Sequence, residues 1–121
     1  MITKLVEQAK VSESGWIPYP HNKYGLDELY LNPQAQTSKF RFFGEKQGIN
    51  GIYDLAITQD GIAVFDASSY SKKVPQKVVD LVIKNFLKYI KSSDGLTAKG
   101  KLNNIQLKEL DSQILRYLKL C

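Results

Sequence analysis

Two β-rich runs, Ile52-Tyr53-Asp54-Leu55-Ala56-Ile57-Thr58 and Ile62-Ala63-Val64-Phe65-Asp66-Ala67, have Asp60-Gly61 between them. No other feature of the chain constrains its fold so tightly. Asp-Gly in this position favours a two-residue type I′ turn, because both central residues need φ > 0. The spacing predicts an antiparallel hairpin in which Gln59 faces Ile62, Asp54 faces Ala67 and Asp66 faces Leu55. Successive strand side chains alternate faces, so Asp54 and Asp66 are expected on opposite sides of the sheet. A β-bulge or a three-residue loop would bring them together.

Upstream, Phe40 and Phe42 alternate with Arg41 in a strand that stops at Gly44, and a glycine-containing loop over 45–51 follows. Residues 28–31 read as a short strand closed by Asn32-Pro33. Trp16-Ile17-Pro18-Tyr19-Pro20 holds two prolines, which forbid a helix and confine the segment to an edge strand or an extended arm. Ile2, Leu5, Val6 and Ala9 recur at helical spacing and predict a short helix over 2–11.

Downstream, Pro75 suits the first turn of a helix. Val78, Val79, Val82, Ile83, Phe86, Leu87 and Ile90 then form one broad apolar face, with Lys77, Lys84, Lys88 and Lys91 on the other side. Asp94-Gly95 is expected to stop this helix, with a Lys/Gly-rich loop over 96–101. Asn103 and Gln106 have capping-box spacing at the start of a last helix, whose inward residues are Leu107, Leu110, Ile114 and Leu118. Strands followed by helices argue for α+β. The expectation is one domain over 1–121: a short N-terminal helix, an antiparallel meander of three to five strands, and two C-terminal amphipathic helices on one sheet face.

A chain of 121 residues has room for one core. No apolar run approaches the roughly 18 residues needed to span a membrane, and the N-terminus does not read as a secretory signal. Cys121 is the only cysteine; it excludes an internal disulfide and a multi-cysteine metal site, and a reducing, cytoplasmic setting is expected. The net charge of +5 is unevenly placed. Residues 1–71 hold 6 Lys+Arg against 8 Asp+Glu, and residues 72–121 hold 11 against 4. Such a basic half attracts polyanions or an acidic protein surface.

Four places could support chemistry or binding. Asp54 and Asp66 are the nearest approach to a catalytic pair. The run from Gly51 to Ile57, the hairpin, and Val64-Phe65-Asp66-Ala67-Ser68 resemble the core of PD-(D/E)XK nucleases. In that family an Asp on one strand and an acidic-x-Lys on the next hold a divalent metal. Ser68 stands where the family's lysine would be, so the group that orients the attacking water is missing. His21, the single histidine, is flanked by Tyr19, Asn22, Lys23 and Tyr24, and a His-Tyr-Lys set is chemically able to cleave RNA. Arg41, Phe43 and Lys39 share a strand face that could stack bases and neutralise phosphates, unless that face lies under the helices or Arg41 pairs with Glu45. Trp16, Tyr19, Tyr24 and Tyr30 crowd one arm and loop; Trp, Tyr and Arg are the residues most enriched at protein-binding hot spots, and such aromatics also serve as lids over a small core.

Together these features read first as a non-enzymatic partner-binding domain without metal or cofactor. It would engage a protein partner through Trp16, Tyr19, Tyr24, Tyr30, Lys77, Lys84, Lys88 and Lys91. In size and build it is similar to small stand-alone bacterial immunity or antitoxin proteins, and its charge calls for an acidic partner. The alternatives are a nuclease, using Asp54 and Asp66 or a metal-free site at His21, and a non-catalytic nucleic-acid binder using the same lysines.

Overall fold

A computed structural model of the chain describes residues 15–18, 23–32, 37–58 and 61–120. Five strands come first: β1 (Trp16–Pro18), β2 (Leu26–Asn32), β3 (Thr37–Phe43), β4 (Ile52–Thr58) and β5 (Gly61–Asp66). Helices α1 (Gln76–Ile90), α2 (Ser93–Lys99) and α3 (Asn104–Leu120) follow. The strands form one antiparallel meander in the order β1-β2-β3-β4-β5. The fold is therefore the expected α+β arrangement. β1, with its proline, lies at an edge. The helix expected over 2–11 falls outside the described residues.

The hairpin register differs from expectation. Thr58 pairs with Gly61, leaving Gln59 and Asp60 between them, one residue earlier than the Asp60-Gly61 turn. Asp54 is thus opposite Phe65, and Asp66 opposite Tyr53. Register follows the hydrophobic match. The observed pairing sets Leu55 against Val64 and Ile57 against Ile62, whereas the expected one would have set Leu55 against Asp66. Moving the turn by one residue shifts the pairing by two, which preserves parity. Asp54 and Asp66 remain on opposite faces.

The C-terminal half has three helices, where two were expected. α1 ends at Ile90, before Asp94-Gly95, because Ser92 intervenes. Its hydroxyl and its N–H both donate to the Tyr89 carbonyl, and its Oγ accepts from Gly95 N at 3.2 Å, capping α2. The segment expected as a loop is consequently a helical turn. Gly95 is required there: a Cβ would lie 1.9 Å from the Tyr89 carbonyl oxygen. Pro75 is the N-cap of α1 rather than a first-turn residue. The capping box forms as its spacing implied, with Gln106 N donating to Asn103 Oδ1 at 2.8 Å and Asn103 N to Gln106 Oε1 at 3.0 Å.

One core lies between the sheet and the helices. Leu26, Leu29, Phe40, Phe42, Tyr53, Leu55 and Ile57 from the strands meet Val78, Val82, Ile83, Phe86, Tyr89 and Ile90 of α1, with Ala98, Leu102 and Leu110 beside them. At its centre Phe86 packs on Phe40 with ring centroids 4.9 Å apart, and Tyr89 meets the same ring edge-on at 6.1 Å. Phe86 is fully buried, so its truncation leaves a cavity the close-packed surroundings can fill only in part. Phe86→Ala is expected to destabilise the fold by about 3–5 kcal/mol, whereas Leu96→Ala, at a position 60% exposed, should stay within about 0.5 kcal/mol. Urea unfolding of both variants checks the contrast.

Candidate binding surfaces

Part of the sheet's second face is also buried, and there the burial includes charge. Thr37, Lys39, Asp54 and Ala56 are essentially inaccessible. Register places Arg41 directly across from Asp54, and the two form a forked ion pair, Nε to Oδ1 at 2.8 Å and Nη2 to Oδ2 at 3.1 Å. On its outer side the Arg41 guanidinium lies 4.1 Å from the centre of the Trp16 ring, a cation–π contact. Trp16 in turn packs on its strand neighbour Tyr30, centroids 5.8 Å apart.

Tyr70 completes the cluster from a turn after β5. Asp66 builds that turn: its Oδ1 accepts from Ser68 N and Ser68 Oγ, and its carbonyl from Ser69 N, the local bonding that suits aspartate to turns. These bonds, the Ser68 side chain first, hold the Asp66 carboxyl below its ordinary range. The turned chain sets the Tyr70 ring on Phe65, 5.4 Å between centroids. Tyr70 Oη donates to Asp54 Oδ2 and accepts from Lys39 Nζ at 2.8 Å. Burial, foremost, and the Asp54 bond push the Tyr70 hydroxyl above its ordinary range. Burial lowers Lys39 to about 8 against the opposing pull of Asp54.

This cluster borders a cleft of about 840 Å³ at the end of the sheet where β4 begins and β5 ends. Arg41, Asp66, Ser68, Lys72 and Lys73 give it polar walls, and Ile52, Val74 and Pro75 apolar ones. Gly51, at φ 131°, permits the entry into β4; a Cβ there would sit 2.9 Å from the Tyr53 hydroxyl.

A second surface lies on the helices. Lys77, Lys84, Lys88 and Lys91 are all exposed along α1. Beside them Leu87, Ile90, Leu96 and Ile114 line a notch of about 390 Å³ between α1, α2 and α3. Lys91 and Lys99 stand at its rim, the latter 3.4 Å from Asp111.

The structure sorts the sequence candidates. Asp54 and Asp66 do not converge, and Asp54 is engaged by Arg41 and Tyr70. Among the described residues no group of His, Cys, Asp and Glu is arranged to hold a metal ion. Arg41 pairs with Asp54, not with Glu45. Tyr24 is a half-buried lid, edge-on to Tyr89 at 6.2 Å. Tyr19 and His21 lie outside the described residues. No described helix is long and apolar enough to cross a membrane. Lys39 as a buried amine and Tyr70 as its partner were not legible in the sequence; the one signal was the Arg and Asp on neighbouring strands, and it needed the β3–β4 register to be read. Comparison with protein-family models, curated proteins and solved structures gave no match.

Two predictions follow from the cluster. Asp54→Asn leaves a largely buried guanidinium without its countercharge and should cost about 3 kcal/mol or more; Asp66→Asn, at a more exposed turn, should cost about 1 kcal/mol or less. Urea midpoints of the two variants test this. From about pH 8 up to the ordinary lysine value of 10.5, the unfolded chain holds a proton that folded Lys39 has released, so stability rises with pH. Above the ordinary tyrosine value of 10.0 the folded chain keeps the Tyr70 proton that the unfolded chain loses, and stability falls. The net rise between pH 8 and 10 should vanish in Lys39→Met, measured by urea unfolding across that range.

Proposed function

We propose that the chain is a non-enzymatic binding domain for an acidic protein partner, docked on the helical side. The observation that supports this most directly is the conjunction on one surface of an apolar notch with a run of exposed lysines. Leu87, Ile90, Leu96 and Ile114 offer a concave apolar seat; Lys91 borders it, as does Lys99 in its pair with Asp111, and Lys84 and Lys88 are exposed on the same helix as Leu87 and Ile90. Apolar anchors set into a pocket and ringed by polar groups are the usual anatomy of a protein contact. The complementary partner is a segment with one or two apolar side chains on an acidic background. An immunity- or antitoxin-like role, in which such a domain caps an acidic partner, is consistent with this chemistry.

The engagement of Asp54 by Arg41 and Tyr70, and its separation from Asp66 across the sheet, favour binding over a two-carboxylate nuclease mechanism. The lysines by themselves suit phosphates as well as carboxylates; the apolar notch is what favours a protein.

A Glu/Leu amphipathic peptide serves as the probe, with a single-stranded oligonucleotide as competitor. The peptide should bind, and Lys84→Glu/Lys88→Glu/Lys91→Glu should weaken it on the order of tenfold or more. Leu96→Ala should weaken it further without changing stability. Tighter binding of the oligonucleotide, with affinity falling steeply in salt, would replace this reading by the nucleic-acid one. Mg²⁺-dependent cleavage of plasmid DNA or RNA that is lost in Asp66→Asn, a variant expected to keep the fold, would replace it by the enzymatic one.

A further inference from the structure

The cleft at the β4–β5 end of the sheet is separate from the helical docking surface, and its lining mixes two chemistries. Lys72, Lys73, Ser68 and Asn50 contribute polar groups, and Ile52, Val74 and Pro75 apolar ones. Ile52 leaves 42% of its surface exposed although it opens a central strand. Concave sites of roughly 300–1,000 Å³ with mainly apolar walls and a few fixed polar groups are the usual seats of small ligands, and this cleft, at about 840 Å³, falls in that range.

Charge selects the ligand. Among the described residues, the cations that line the cleft are Arg41, Lys72 and Lys73. Arg41 is balanced by its ion pair with Asp54. Asp66, the carboxylate on the wall, is occupied by Ser68 on one oxygen, and Lys72 Nζ is 3.9 Å from the other. Counting both aspartates against the three cations leaves one positive charge in excess, and an exposed lysine is a mobile point charge able to close on an anion.

We propose that this cleft binds a small organic anion, its phosphate or carboxylate head held by Lys72 and Lys73 and its apolar body laid against Ile52, Val74 and Pro75. Behind the cleft lie the Asp54–Arg41–Trp16 contacts, and the Asp66 turn leads the chain from the end of β5 toward Lys72 and Lys73.

The test is a titration of the ¹⁵N-labelled full chain, followed by amide chemical shifts, with phenyl phosphate, benzoate, inorganic phosphate and benzyl alcohol. Phenyl phosphate or benzoate should shift the amides of Ile52, Ser68, Lys72, Lys73 and Val74 saturably, and benzyl alcohol should not. The stronger of the two anions identifies the head as a phosphate monoester or a carboxylate. Lys72→Glu/Lys73→Glu, both at exposed positions, should raise Kd on the order of tenfold or more. Ile52→Ser should weaken the aromatic anions and leave inorganic phosphate unchanged. Lys84→Glu/Lys88→Glu/Lys91→Glu should leave the cleft response intact, so this site and the helical docking surface stand or fall separately. Absence of a saturable shift with either aromatic anion, shifts confined to the α1 lysines, or an unchanged Kd in the Lys72/Lys73 variant would overturn the proposal.

Discussion

Docking of α1 on the sheet is the interaction on which the rest of the molecule depends. A meander of strands leaves its apolar face open until another layer covers it, and a single amphipathic helix is marginal in water. Phe86 and Tyr89 of α1 close on Phe40 in the middle strand, with Val82 and Ile83 beside them. Each fully buried apolar side chain contributes roughly 1.5–3 kcal/mol, so the face that α1 presents ties strands distant in sequence to one surface. With one face of the sheet occupied, the alternation of side chains consigns Lys39, Arg41 and Asp54 to the other.

Those three charges pose a physical problem that the fold answers with geometry. Removing an ion from water costs several kcal/mol, and a partner offsets this only when contact is close and hydrogen bonding complete. The forked Arg41–Asp54 pair, the Tyr70 hydroxyl and the Trp16 ring meet that demand around one carboxylate. Lys39, with the Tyr70 hydroxyl at 2.8 Å and the tyrosine ring beside it, titrates well below an exposed lysine. The cluster ties β1, β3, β4 and the turn after β5 together beside the cleft, and Lys72 and Lys73 are exposed beyond it.

Charge outside the cluster is distributed differently. The excess of Lys over Asp and Glu in residues 72–121 falls largely on the outer surface of α1 and on Lys91 at its end, and at Lys72 and Lys73 beside the cleft, while Lys99 and Asp94 balance on α2. Two surfaces with different apolar components result: the one proposed to seat a protein partner on the helices, and the one proposed to hold an organic anion at the sheet end.

Local rules settled much of this architecture in advance. Alternation in β3 to β5, the apolar periodicity of α1, the edge position of the Pro18 strand and the Asn103–Gln106 cap could all be read directly, because each depends on residues within a few positions of one another. Even the mistaken hairpin register preserved the separation of Asp54 from Asp66, since a shift of two residues cannot change which face a strand residue occupies. Tertiary structure decided the rest. Ser92 converts a predicted loop into α2 only because α1 ends with the Tyr89 carbonyl in its reach, and Asp66 proves to be a turn builder rather than half of a metal site. The partnership of Arg41 with Asp54 required the β3–β4 register, which the loop over 44–51 left open, and Tyr70 joins them only when the chain folds back across the sheet. Such contacts arise from the meeting of distant segments, and no spacing along the chain encodes them.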